Sequence, residues 1–173
     1  TKYVVEYTDR QGRRSRLIRE VNAHGHAAAV LAYDPSRKTV LLVKQFRFGA
    51  AVAGYVDDMI EVCAGLLDGD IPEVCALKEA REELGATLHN LKPVGDIFVS
   101  PGALTERISL FIGEYSPADR TSSGGGLMHE GEDIEVIELP FEEACRMIGS
   151  GLIVDAKTII LLQHLKLRQA RLI

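Results

Sequence analysis

Between Cys63 and Gly85 a short apolar strand runs through a loop bracketed by Gly65 and Gly69 into a segment whose C-terminal half carries three glutamates, Glu79, Glu82 and Glu83. Glycine lets the backbone bend sharply there. Pro72 suits a first helical turn, where its missing N–H goes unused, and Gly85 suits a C-terminal cap. The spacing predicts a helix over 72–84 with Val74, Leu77 and Leu84 as its core stripe and Ala76 and Ala80 beside them. Glu79 and Glu83 are four apart and share one helical face, which Glu82 flanks. Like charges so placed repel. A bound Mg²⁺ or Mn²⁺ reverses the sign of that interaction, because these ions take hard oxygen ligands. The plainer alternative is a solvated acidic face that Lys78 and Arg81 partly neutralise. The loop weighs against it, since strand, glycine loop and helix bring backbone oxygens near the carboxylates.

The remaining pattern must pack around this unit. Residues 3–7 and 14–21 read as a hairpin about Asp9-Arg10-Gln11-Gly12. It carries few large apolar residues, and an isolated hairpin is marginal in water, so it is expected to pack on something, a second subunit included. Strands are expected over 27–33, 39–45, 59–63, 91–99, 107–115 and 134–139. Helices are expected over 141–148 and 156–170, the latter with Asp155 as N-cap. Ser122-Ser123-Gly124-Gly125-Gly126 reads as a flexible segment. The order of elements predicts an α+β or α/β/α sandwich with a mixed sheet.

With 173 residues the chain is one domain's worth. Its net charge of −5 supplies no positive field for nucleic acid or acidic membranes, so phosphate contacts must be local. Cys63, Cys75 and Cys145 are odd in number and widely spaced, which fits buried reduced thiols and a cytoplasmic setting better than disulfides or a metal knuckle. No apolar run approaches the ~18 residues of a membrane span. The chain opens on Thr1 in a strand-like pattern, so native residues are expected ahead of it. The scattered histidines argue against zinc, and no nucleophile motif suggests covalent catalysis.

Residues 64–85 resemble the signature box of the Nudix hydrolases, which cleave nucleoside diphosphates linked to another moiety. Glu79, Glu82, Glu83 and Gly85 keep the mutual spacing of the box. The loop is one residue shorter, Asp70 stands for a glutamate, Lys78 for an arginine, and Ala80 and Ala86 for bulky residues. Asp70 and Lys78 preserve the signs of a structural ion pair across the loop. Cys63-Ala64-Gly65-Leu66-Leu67-Asp68, Ser100-Pro101-Gly102, Thr105-Glu106, Gly124-Gly125-Gly126, Leu139-Pro140-Phe141 and Asp155-Ala156-Lys157-Thr158 are similar to the bacterial branch that splits GDP-mannose.

The resemblance implies an α/β fold, a Nudix-type α/β/α sandwich over 23–173 with a mixed β-sheet, and an N-terminal β-hairpin extension over 1–22 that swaps onto a partner in a homodimer. It implies Mg²⁺, with Mn²⁺ as the alternative, held by Glu79, Glu83, Glu132 and the carbonyl of Ala64. Glu132 is the leading candidate for taking the proton of the attacking water, alone or with Glu83, and Glu130 competes for its place. Arg19, Glu20, Arg47, Gly65, Leu66, Glu106 and Lys157 are implied to bind a nucleotide sugar, Arg19 and Glu20 across the dimer. Each of the charged ones taken alone is more commonly a surface salt bridge. The expected reaction is hydrolysis of GDP-mannose to GMP and mannose 1-phosphate. An ADP-ribose or ADP-sugar pyrophosphatase is the nearest alternative, and a non-catalytic nucleotide sensor, which would tend to lose the box glutamates, a remote one.

Overall fold

The computed structural model describes residues 1–127 and 133–173. Glu130 and Glu132, both candidates above, lie outside the described residues. Strand β3 (Ala27–Asp34) is the axis of the main sheet, and all its side chains are buried. It runs parallel to β8 (Ile108–Glu114), which pairs antiparallel with the edge strand β7 (His89–Ile97). On its other side β3 meets β4 (Thr39–Gln45) only from Ala32↔Leu41 to Asp34↔Thr39. The turn between them is closed by the Asp34 carboxylate, which accepts from the N–H groups of Ser36 and Arg37. The outer edge of β4 takes β9 (Glu135–Pro140) antiparallel.

Beyond those pairs β4 and β3 part, and residues 59–66 fill the gap. Here the expected single strand over 59–63 proves to be two: β5 (Met59–Glu61) on β4, and β6 (Cys63–Leu66) on β3. The hinge is Val62, whose N–H donates not to a strand but to the Thr158 hydroxyl, at 2.8 Å. That bond ties the middle of the sheet to the last helix.

A sheet with a fully buried central strand needs cover on both faces. Ala28, Val30 and Ala32 face α2 (Pro72–Glu82), and Ala29, Leu31 and Tyr33 face the core beneath α3 (Phe141–Gly149) and α4 (Ala156–Gln169). The expected α/β/α sandwich with a mixed sheet is therefore what forms. The α2 core stripe differs from expectation. Val74 is 47 % exposed, while Cys75, Ala76, Glu79 and Ala80 are buried. The small residues let the helix lie close on β3 and β6, and that rotation turns a glutamate inward. Asp155 caps α4 as expected, its carboxylate accepting from the Thr158 N–H at 2.9 Å. A five-residue helix α1 (Phe48–Val52) and a 3-10 turn (Pro117–Asp119) had no clear periodicity to announce them.

The hairpin of β1 (Lys2–Thr8) and β2 (Arg14–Glu20) forms its own two-stranded sheet, in register from Lys2↔Glu20 to Thr8↔Arg14. Its base is stitched to the main domain where Asn22 exchanges backbone hydrogen bonds with Ala103 and Thr105. No helix among the described residues is long and apolar enough to cross a membrane.

Candidate active site

The site is organised by β6. Its Ala64 N–H donates to Glu83 Oε2 at 3.2 Å, so strand and helix meet through a carboxylate. Gly65, next along, has no Cβ for a reason other than the bend expected of it. A Cβ there would sit 2.1 Å from Glu79 Oε1. The bend itself falls on Asp68 and Gly69, the residues with positive φ. Glu79 and Glu83 are 9 % and 2 % exposed, one helical turn apart, against the same strand end. Between them and β3 lies the Cys63 thiol, whose pKa is pushed well up by burial and by the two nearby glutamates. Glu82 points aside, 3.8 Å from Lys78 along its own helix. Lys78 was expected to pair with Asp70 across the loop; among the described residues its ion pair is with Glu82.

The Ser122–Gly126 stretch is docked rather than free. The N–H groups of Thr121, Gly125 and Gly126 donate to the carbonyls of Gly85, Glu83 and Glu82 at 2.9, 2.9 and 3.2 Å. These bonds satisfy carbonyls that the end of α2 leaves open. Close contact requires glycine on both sides. A Cβ on Gly85 would be 2.4 Å from the Ser122 carbonyl oxygen, and one on Gly124 2.2 Å from that of Glu83. The described chain ahead of residue 128 thus lies on the helix end that carries Glu83.

Beside β6 opens a cavity of about 470 Å³ whose wall includes Ala64, Gly65, Leu66, Glu106, Arg47 and Lys157. Five expected substrate residues, Gly65, Leu66, Arg47, Glu106 and Lys157, are therefore brought together. Arg19 and Glu20 are not: they sit on exposed β2, away from this cavity, and Arg19 Nη1 donates to its neighbour's carbonyl, Ile18 O. Lys157 lies in the first turn of α4, as expected, but is buried with its ammonium between Glu61 at 2.5 Å and Asp155 at 2.9 Å. Arg47 makes a fork with both Glu61 oxygens, at 2.8 and 2.9 Å. Burial alone would raise the Glu61 carboxyl; the Arg47 hydrogen bonds and the Lys157 charge outweigh it and hold its pKa below the ordinary value. Glu61 was overlooked in the sequence. The available signal was an acid inside the apolar run Met59-Ile60-Glu61-Val62-Cys63. A larger groove of about 590 Å³, bordered by Lys38, Lys92 and Arg168, lies at the other end of the sheet and adjoins none of these groups.

The donors fit a hard divalent cation: two carboxylates one turn apart, a backbone strand that meets one of them at Ala64, and a glycine cradle that admits the other, Glu79. Among the described residues no three His, Cys, Asp or Glu side chains stand close enough to hold an ion without further ligands. The remaining expected ligand, Glu132, belongs to the segment outside them.

Fold and site together define a class, and the NUDIX domain matches residues 23–159, most of the chain. The chain belongs to the NUDIX family and is a hydrolase of that family. It is 49% identical over 164 residues to a protein of Cronobacter sakazakii named GDP-mannose pyrophosphatase, covering 94% of this chain and 85% of that one. Proteins of the same name from Salmonella arizonae and from Enterobacter sp. strain 638 are 48% and 45% identical, over 92% and 94% of this chain and 83% and 84% of theirs.

Proposed function

We propose that the protein hydrolyses the diphosphate of a nucleotide sugar, GDP-mannose, to GMP and mannose 1-phosphate with Mg²⁺ as its ion. The observation that carries this reading is a shared wall: Ala64 and Gly65 touch the Glu83 and Glu79 carboxylates and also line the cavity that holds Arg47 and Lys157. A diphosphate lying in the cavity is then next to the ion-binding carboxylates. The choice of GDP-mannose rests on the name that relatives carry at 45–49% identity.

Glu79, Glu83, the Ala64 carbonyl and Glu132 would hold the ion. When bound, Mg²⁺ neutralises phosphate charge and acidifies water. Glu132 accepts the proton of the water that attacks phosphorus, and the P–O–P bridge breaks as that P–O bond forms. Arg47 and Lys157 attract the anionic substrate, while Gly65 and Leu66 border it and Glu106 takes sugar hydroxyls. The hairpin of residues 1–22 serves a partner's site with Arg19 and Glu20 in a homodimer, and residues 23–173 form the hydrolase domain. The free thiols of Cys63 and Cys75, both buried, suit the cytoplasm.

Rates with GDP-mannose and ADP-ribose, each with Mg²⁺, test the substrate. The expected result is a higher kcat/KM for GDP-mannose, and a preference for ADP-ribose overturns it. Glu83→Gln is expected to fold and to lose at least ~100-fold in turnover, as loss of a metal-held electrostatic group does. Turnover at the parent rate would remove the ion from α2.

A further inference from the structure

Glu61 is 1 % exposed, yet both its oxygens face cations of the cavity. Oε1 accepts from Arg47 Nε at 2.8 Å, and Oε2 accepts from Arg47 Nη2 at 2.9 Å and Lys157 Nζ at 2.5 Å. A carboxylate met by both arms of a guanidinium sets its plane as well as its distance. Lys157 is likewise held between two carboxylates, Glu61 and Asp155. Arg47 stands after the end of β4, and Lys157 in the first turn of α4, so neither backbone segment fixes the other's charged head.

Glu61 joins them from β5, the strand that continues through Val62 into β6. The same short stretch therefore carries the anchor of the two cations and the wall against Glu79 and Glu83. The hinge is pinned to α4 as well, through Val62 N–H to Thr158 Oγ1. A well-packed apolar side chain would serve the strand alone as well as a buried acid, often better. What an apolar side chain cannot do is aim two cations into a cavity.

We infer that Glu61 is a positioning residue of the hydrolase, orienting Arg47 and Lys157 toward the substrate diphosphate at a set distance from the carboxylates of α2. This rests on the reading of the cavity as the nucleotide-sugar site. Glu61→Gln keeps the shape but presents a donor where Arg47 and Lys157 also present donors, so one cation must turn away.

The test is steady-state kinetics on GDP-mannose with Mg²⁺ for the parent, the Arg47→Ala and Lys157→Ala variants and their double variant, with Glu61→Gln made in the parent and in the double variant. In the parent, Glu61→Gln is expected to raise KM roughly tenfold, the scale of one lost charged hydrogen bond, with kcat within about threefold. In the double variant it is expected to change KM less than about twofold, since no cation remains to be placed. Melting temperatures give a readout that needs no substrate. Glu61→Gln lowers the melting temperature of the parent and raises that of the double variant, where Glu61 is otherwise a buried charge without its cations.

An unchanged KM in folded Glu61→Gln overturns the proposal, as does an equal rise in KM in both backgrounds. If Glu61→Gln does not fold in the parent, the triple variant decides: melting below the double variant overturns the proposal, and melting above it supports the anchoring. If Arg47→Ala and Lys157→Ala both leave KM and kcat unchanged, the site reading falls and this proposal with it. If they raise KM and Glu61→Gln does not, only the role of Glu61 falls.

Discussion

A single hydrogen atom at position 65 is what lets the Glu79 carboxylate lie against β6. The Cβ of an alanine would meet the Glu79 side chain at 2.1, 2.3 and 2.9 Å, and no backbone atom is among those contacts. A side chain can swing away where a backbone cannot, so Gly65→Ala is expected to fold and to lose about 1 kcal/mol, the scale of an off-rotamer side chain. The displaced carboxylate should weaken Mg²⁺ binding by ~10-fold or more, as loss of ligand support does. The dependence of activity on Mg²⁺ concentration, set beside a denaturation curve, checks both halves. A large stability loss with unchanged metal dependence would mean that Gly65 serves the fold. Glu79, Glu83 and Gly65 could all be picked out by their spacing in the sequence. The reason for Gly65 could not, because an approach to a side chain fourteen positions on exists only after α2 has packed on β6.

Helix α2 ends in a contact that its own sequence does not contain. Residues 121–126 fold back so that the N–H groups of Thr121, Gly125 and Gly126 cap its last carbonyls, and Gly124 lies among them at φ +69 with Glu83 O where a Cβ would be. Gly124→Ala combines left-handed strain, about 1–2 kcal/mol, with a backbone collision that no rotamer relieves. It is expected to destabilise the protein by about 2 kcal/mol or more in urea unfolding, and to lower kcat by loosening the start of the segment that carries Glu132. Parent-like stability would show that the docking is not what holds this stretch. A run of serine and glycine reads as slack chain on composition alone. The same absence of side chains is what a backbone needs to lie on a helix end, and composition cannot tell the two apart.

At the scale of the molecule the hairpin is the unfinished part. Tyr3, Val4, Val5, Tyr7 and Ile18 are all exposed, on both faces of a two-stranded ribbon held to the domain at its base. Such a ribbon gains little by itself, and Arg19 and Glu20 stand away from the cavity of their own chain. A second copy receiving the hairpin would account for both facts. Light scattering is expected to give a dimer, and Val4→Asp with Ile18→Asp, which face each other across the ribbon, to shift it to monomer with reduced activity. Mixing Arg19→Ala with inactive Glu83→Gln under subunit exchange should restore part of the lost activity, since one mixed site then has both residues intact. A monomeric parent, or a mixture with no recovery, would remove the swap.

The sequence by itself determined the alternation of strands and helices, the capped acidic helix and its glycine loop, and the chemistry that such an arrangement suits. These are local facts: periodicities of two and of about 3.6 residues, and pairs separated by one turn. Only the tertiary structure decided that residues 59–66 split between two partners at Val62. It also decided that Val74 faces water while Glu79 turns inward, and that Glu61 gathers Arg47 and Lys157. Each of these depends on which distant segments come to share one space, and the free energy of a buried carboxylate is set by those neighbours, not by its place in the chain.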